Sequence, residues 1–138
     1  MDNIAFEYLY KYGLHDCKMD SICFDVGNIV FSFPFGIYEL NAAGKEISLT
    51  EKCNVVIKIE NFSPKKAWQY IEIHKLTRGT IFEIDIDTFI DALFQANFDI
   101  DMHYYSGFCN TILLKGNILE NEYEIKISDV TGISYQFN

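Results

Sequence analysis

The chain has 138 residues, with 11 Lys and Arg against 20 Asp and Glu, a formal charge of −9, and 49% hydrophobic residues. This hydrophobic share excludes a disordered acidic tail, and the acidity argues against general affinity for nucleic acid or anionic lipid, which need a basic face. No apolar run reaches the ~18 residues of a membrane span, and the first three residues lack the basic start of a signal peptide. We therefore expect a single globular domain over residues 1–138, located in the cytoplasm.

The first predicted element is a short helix. Asp2 or Asn3 is placed to cap a helix over residues 4–12, because its side-chain oxygen can accept hydrogen bonds from the free N–H groups of the first turn. Gly13 is predicted to end the helix at the position that favours a left-handed conformation. The apolar residues of this segment are so dense that a strand is the alternative.

Alternation of apolar and polar residues predicts that most of the remaining chain is β strand. Gly27 and Asn28 predict the turn of a first hairpin, and Gly116 and Asn117 predict a later turn. Residues 80–86 form either a strand or the entry to a helix. The connections are too short for most crossover helices, which favours antiparallel pairing. The predicted strands cover residues 19–24, 29–33, 37–40, 53–59, 68–75, 80–86, 98–105, 111–115, 123–127 and 133–137.

The clearest predicted helix covers residues 88–96. Asp87 is expected to cap it, Asn97 to end it, and one apolar stripe to face a sheet. The stripe consists of Phe89, Ile90, Leu93 and Phe94. We therefore predict an α+β fold that is mostly β: an antiparallel sandwich or strongly curved sheet of about nine strands with one or two helices packed on it.

The four cysteines are Cys17, Cys23, Cys53 and Cys109. None forms a Cys-x-x-Cys pair, and their spacing fits no zinc framework. We expect free thiols that pack as small buried hydrophobes in a reducing cytosol.

Two groups of residues are candidates for chemistry. His15, Asp16 and Cys17 place an imidazole, a carboxylate and a thiol consecutively. Catalytic Cys/His pairs need the thiolate within hydrogen-bond reach of the imidazole, with a third group to orient it, but residues two apart on an extended chain do not pair directly. The alternative is that Asp16 or His15 forms hydrogen bonds with backbone groups of a loop while Cys17 begins the first strand. His74 is expected to be a solvated strand residue.

The second group lies on the predicted strand 98–105, where Asp99, Asp101, His103 and Tyr105 share one face. This row suits a divalent cation or a cationic group, but one strand cannot complete the ligand set alone. A solvated polar face is the alternative. Since the chain also lacks Gly-rich phosphate-binding and nucleophile-elbow motifs, we expect no catalytic residue, no metal and no cofactor.

The charge distribution is the strongest functional signal. Between Gly79 and Leu114 there is no Lys or Arg, whereas six carboxylates contribute −6 of the formal −9. Such a surface steers a basic partner, and nearby aromatic side chains can anchor it. Ordinary solubility is the alternative explanation. The predicted partner-binding residues are Asp85, Asp87, Asp91, Asp99, Asp101, Tyr104 and Tyr105.

Several motifs in fixed order resemble a small bacterial family of single-domain β-rich proteins to which no chemistry is assigned. They are GLHDC (13–17), FPFGIYELN (33–41), VVIKIENF (55–62), YIEIHKL (70–76), IDIDTFI (84–90) and ILLKG (112–116). In size, acidity and β-richness the chain is also similar to immunity proteins that neutralise bacterial polymorphic toxins. No catalytic residue is implied by either resemblance.

We therefore predict a non-enzymatic interaction protein, such as an immunity-like inhibitor that binds a basic protein partner through an acidic surface. The alternative is a small-molecule binding module with an aromatic pocket between helix and sheet; an enzyme is the third class. Binding to nucleic acid or membrane is not expected. The sequence is compatible with a monomer and, if the strand at 133–137 lies at a sheet edge, with a homodimer.

Overall fold

The computed structural model describes residues 11–106 and 109–137 and confirms the mostly β fold. A 3-10 helix (Pro64–Gln69) precedes β8, and an α helix, α1 (Ile86–Leu93), connects β9 to β10. The strands are β1 (Tyr12–Gly13), β2 (Lys18–Met19), β3 (Ser21–Asp25), β4 (Asn28–Phe33), β5 (Tyr38–Leu40), β6 (Glu46–Leu49), β7 (Cys53–Lys58), β8 (Ile71–Thr77), β9 (Thr80–Ile84), β10 (Phe98–Ser106), β11 (Thr111–Ile118), β12 (Asn121–Ile127) and β13 (Gly132–Phe137).

The strands form three open antiparallel sheets. A six-stranded sheet has the order β2-β10-β11-β12-β8-β9, a four-stranded sheet has the order β13-β7-β4-β3, and a small sheet has the order β1-β5-β6. The described chain thus has thirteen strands where about nine were predicted. Two of the additional strands, β1 and β2, escaped prediction because a strand of two residues is too short to show a period of two.

One hydrophobic core joins the inner faces of the six-stranded and four-stranded sheets. Alternation explains this, because every second side chain of a strand points to the same face. β4 buries Ile29, Phe31 and Phe33, and the facing sheet buries residues such as Leu114 and Ile125. The core therefore follows directly from the alternation in the sequence.

The first hairpin is confirmed, with β3 paired to β4 from Ser21 opposite Ser32 to Asp25 opposite Asn28. Its turn residues are Val26 and Gly27, one position earlier than predicted, and Gly27 has the positive φ of 84° that a glycine adopts without strain. The strand predicted at 68–75 begins three residues later than predicted, because its first two residues belong to the 3-10 helix. Pro64 begins this helix, so Trp68 is helical and β8 starts only at Ile71.

The predicted N-terminal helix lies almost wholly outside the described residues. Its last predicted residue, Tyr12, belongs instead to β1, where it lies opposite Glu39 of β5. The ring of Tyr12 also packs against Tyr135 and Phe137 of β13, with centroids 4.7 and 5.3 Å apart. The strand predicted at the C-terminal end is confirmed, and it lies at the edge of its sheet beside β7.

Helix α1 begins two residues earlier than predicted, at Ile86, and its N-cap is Asp85 rather than Asp87. Phe89 and Leu93 are buried as expected, and the ring of Phe89 packs edge-on against Phe98 at 5.3 Å. The predicted burial of Phe94 is wrong. The helix ends at Leu93, so Phe94 turns outward and is 84% exposed. Among the described residues, no helix has the length and apolar character needed to cross a bilayer.

A β-bulge in β10 reverses the predicted alternation of that strand. Ile100 lies opposite Gly116 and Met102 lies opposite Lys115, so Asp101 is an extra residue without a partner in β11. The turn predicted at Gly116 and Asn117 is wrong, because both residues belong to β11. At Gly116 the backbone of β10 comes so close that an added Cβ would lie 2.2 Å from the carbonyl oxygen of Asp99. Glycine is needed here for space and not for a turn.

We expect Gly116→Ala to destabilise the fold by roughly 2–3 kcal/mol, because the backbone of β10 must move to admit the methyl group. The matched control is Gly132→Ala, whose added Cβ would meet only the Lys58 side chain at 3.7 Å. Urea unfolding monitored by circular dichroism measures both variants. Equal stabilities of the two alanine variants would contradict the close approach at Gly116.

Candidate functional site

The structure does not assemble the His15, Asp16 and Cys17 candidate. The Cys17 thiol is buried, lies 3.5 Å from the carbonyl oxygen of Gly13, and has its pKa raised to about 12 by burial. His15 lies at the surface instead, with its Nδ1 3.3 Å from the carboxylate of Asp16 and 3.4 Å from that of Glu46. A thiol with this pKa is not ionised near neutral pH, so this arrangement lacks an activated nucleophile.

The predicted row of Asp99, Asp101 and His103 is divided by the bulge. Asp99 and Asp101 are exposed, and the Asp99 carboxylate forms an ion pair with Lys18 Nζ at 3.5 Å. Beyond the extra residue, His103 and Tyr105 turn toward the core side, while Met102 and Tyr104 become the exposed residues. The single polar face that a metal would need is therefore not formed.

His103 titrates abnormally in this position. Burial lowers its pKa below the ordinary 6.5, and the neighbouring charge of His15 lowers it further. The unfolded chain therefore takes up a proton at a higher pH than the folded chain does.

We expect stability to fall as pH decreases from about 7 to about 5, at no more than about 1.4 kcal/mol per pH unit from this one group. His103→Gln is expected to flatten the profile in this interval, and His74→Gln, at a partly buried histidine of β8, serves as its control. Urea midpoints measured at several pH values test this. A profile that His103→Gln leaves unchanged would contradict the lowered pKa.

The expectation that the cysteines are buried holds for only two of the four. Cys17 and Cys53 are buried, whereas Cys23, on the edge strand β3, and Cys109, in the turn before β11, are exposed. Alternation explains Cys23, since Ile22 takes the buried position beside it. All four thiols are free.

Native-state thiol labelling is expected to modify Cys23 and Cys109 at least about tenfold faster than Cys17 and Cys53, because burial raises the pKa of both core thiols. Mass spectrometry of peptides after brief iodoacetamide treatment measures the order in which the four cysteines are modified. Labelling in denaturant supplies the control, since all four thiols then react. Preferential native labelling of Cys17 would restore it as a candidate nucleophile.

Two other clusters have the donor set of a cation site. One consists of Glu72, His74 and Glu83, on adjacent strands β8 and β9, and the other consists of His15, Asp16 and Glu46. Within each cluster the potential ligand atoms lie within 4.8 Å of one another. A histidine nitrogen with two carboxylates suits several divalent transition metals, but five of these six residues are exposed. Neither cluster was predicted, because the first depends on the register of the hairpin formed by β8 and β9 and the second brings Glu46 beside His15 from a distant segment.

The predicted partner-binding residues lie in two places. Asp85 and Asp87 accompany the start of α1 beside β9, whereas Asp99 and Asp101 belong to β10. Three strands separate β9 from β10, which places the two groups roughly 19 Å apart across the sheet. Asp91 is exposed on α1, Tyr104 is exposed, and Tyr105 packs against the core with its hydroxyl 3.3 Å from Asn110 Oδ1.

A groove at the start of α1 is a further candidate site, and it includes two of the predicted partner-binding residues, Asp85 and Asp87. It has a volume of about 530 Å³ and lies between α1, β9, β3 and the 3-10 helix. Ala67 and Ile71 are buried and form the floor of the groove. The side chain of Trp68 lies at its rim and is 72% exposed. The remaining lining residues are Phe24, Pro64, Glu83, Ile84, Asp85, Ile86 and Asp87. In the described part of the chain, no ion pair neutralises the carboxylates of Asp85 and Asp87, whereas that of Glu83 lies close to Glu72 and His74 on the other face of β8 and β9.

Asp85 connects this groove to the helix. Its Oδ1 accepts hydrogen bonds from the Thr88 hydroxyl at 2.6 Å and from the Thr88 backbone N–H at 2.8 Å. These two bonds lower the pKa of the Asp85 carboxyl, the hydroxyl having the larger effect. The carboxylate at the groove is therefore both held in place and kept charged.

The groove residues Asp85 and Asp87 were predicted from the sequence as site residues, whereas the role of Trp68 was not. The signal was present in Ser63 and Pro64, since proline favours the first position of a helix. A helix there interrupts the apparent strand and directs Trp68 away from the sheet. Comparison with known protein families, curated proteins and solved structures finds no match to this chain.

Proposed function

We propose that this protein is a non-enzymatic interaction protein that binds a basic protein partner at the groove, in the manner of an immunity-like inhibitor. The observation that carries the proposal is an exposed tryptophan at an apolar groove, beside the carboxylates of Asp85 and Asp87, which have no ion-pair partner among the described residues. A Lys or Arg side chain from a partner fits this chemistry. Its charge can lie over the indole of Trp68 while its N–H groups meet Asp85 or Asp87.

The overall charge of −9 supports the same proposal. Negative charge on one molecule accelerates its encounter with a basic partner, and salt suppresses this effect. If the partner is a toxin or nuclease with a basic active site, an acidic surface lying over that site would block its substrate. Such inhibition requires no chemical step, which is compatible with the buried, protonated thiol of Cys17.

A small-molecule binding module is the second candidate, and the size of the groove favours it. A volume of about 530 Å³ lies within the usual range for ligand sites, and an apolar floor with a few polar groups is typical of them. This candidate predicts a saturable ligand whose binding depends weakly on salt. A thermal-shift screen of metabolites, repeated with Trp68→Ala, detects it.

The experiment that tests the main proposal begins with capture of a basic protein from lysate of the source organism, at low and then at high salt. The captured protein is purified, and its binding to variants is measured by surface plasmon resonance. We expect Asp85→Asn with Asp87→Asn to slow association about tenfold, and Trp68→Ala to weaken affinity at least about tenfold. Asparagine caps a helix as well as aspartate does, so the first variant retains α1.

The matched control is Glu51→Gln with Asp129→Asn, which removes the same charge at exposed positions outside the groove. The control is expected to bind nearly as the unmodified protein does. If the groove variants bind like this control, the groove is not the binding site. If no basic protein is captured and a metabolite stabilises the protein only while Trp68 is present, the second candidate replaces the first.

A further inference from the structure

Strand β9 borders the groove and forms a free edge of the six-stranded sheet. In the described part of the chain, β9 pairs only with β8. Arg78 and Gly79, with φ of 49° and 80°, form a two-residue turn between them. In such a hairpin the flanking residues Thr77 and Thr80 exchange hydrogen bonds, and every second pair after them does the same.

This pattern determines which backbone groups face the open edge. Thr80, Phe82 and Ile84 direct their N–H and C=O groups toward β8. The intervening residues Ile81 and Glu83 therefore direct theirs away from the sheet. These groups are positioned to accept one further antiparallel or parallel strand.

The edge lacks three of the features that usually prevent such pairing. β9 contains no proline or lysine, and its pairing with β8 continues without a bulge from Thr80 to Ile84. Its side chains Ile81 and Phe82 are 63% and 44% exposed. A regular edge with exposed apolar side chains is the kind of surface to which an extended peptide adds.

The edge also continues directly into the groove. Glu83 and Ile84 belong to β9 and line the groove, and Asp85 follows them as the cap of α1. A strand added to β9 would thus place its side chains beside Trp68 and the groove carboxylates. We infer that an extended basic segment of a partner protein adds to β9, bonding its backbone to Ile81 and Glu83 and directing a Lys or Arg into the groove. This inference rests on the proposed function and specifies the mode of binding.

The negative charge at this edge favours a basic segment over a second copy of the chain as the occupant. Two copies joined along β9 would bring together Glu83, Asp85 and Asp87 from both chains, and each copy has a formal charge of −9. Like charges placed this closely oppose association. A basic segment instead supplies positive charge to the groove carboxylates of Asp85 and Asp87, for which residues 11–106 and 109–137 provide no ion pair.

The test uses the full chain and a blocked peptide of alternating lysine and valine, KVKVKVKV, at low salt. Trp68 is the single tryptophan of the chain, so its fluorescence reports the groove directly. Addition of the peptide is expected to change the Trp68 emission. Hydrogen exchange measured by NMR is expected to slow at least about tenfold at the amides of Ile81 and Glu83. The amides of Thr80 and Phe82, already bonded to β8, are expected to change less. Control peptides replace Lys by Glu, or carry N-methyl groups that prevent strand pairing.

A variant provides a second measurement. Ile81→Pro removes an outward N–H without removing a bond to β8, and is expected to weaken peptide binding at least about tenfold. Ile47→Pro, at an exposed isoleucine of the edge strand β6, is the matched control. Melting curves show whether both variants fold, and the exchange measurement on the unmodified chain decides the inference if they do not.

The outcomes separate the inference from the proposed function. A change in Trp68 emission without protection of Ile81 and Glu83 overturns strand addition and leaves the groove as the binding site. No change in emission up to millimolar peptide overturns both. Protection of the same amides by raised protein concentration alone, with dimers in sedimentation, identifies a second copy as the occupant and overturns the assignment to a basic partner.

Discussion

The close approach of β10 to Gly116 is the constraint on which the arrangement of the large sheet depends. The extra residue at Asp101 and the missing side chain at Gly116 are two parts of one feature, since the displaced backbone needs the space that glycine leaves. The bulge determines which side chains of β10 join the core. It buries His103 in part, exposes Met102, and removes the polar row that the uninterrupted alternation would have produced.

The fold class follows from the sequence because it depends on local alternation. β4, β7 and β12 are recognisable from their side chains alone, and the turn chemistry around Gly27 joins β3 to β4. The errors have a different cause. A glycine selected for space at Gly116 has the same appearance in the sequence as a glycine selected for a turn. The bulge at Asp101 has no local signature at all, and it inverts every position after it.

The candidate site was only partly predictable for a related reason. A run without Lys or Arg identifies Asp85 and Asp87, since charge can be counted along a chain. The groove itself requires the 3-10 helix, β3 and α1 to meet, and these elements are far apart in sequence. Trp68 lines the groove only because these elements come together in the fold. Counting charges also cannot show that Asp99 is paired with Lys18, whereas the groove aspartates have no such partner among the described residues.

Asp85 has two functions, because one carboxylate both begins α1 and borders the groove. The first turn of a helix is where fraying starts, and fraying would release Asp85 and displace Asp87 together. Local opening of α1 and occupation of the groove are therefore linked equilibria. A ligand that holds the carboxylates in place also holds the helix closed. Part of its binding free energy is then used to suppress the opening of the helix. Residues that only stabilise the first turn of α1, without reaching the groove, would in this way set the affinity of the site.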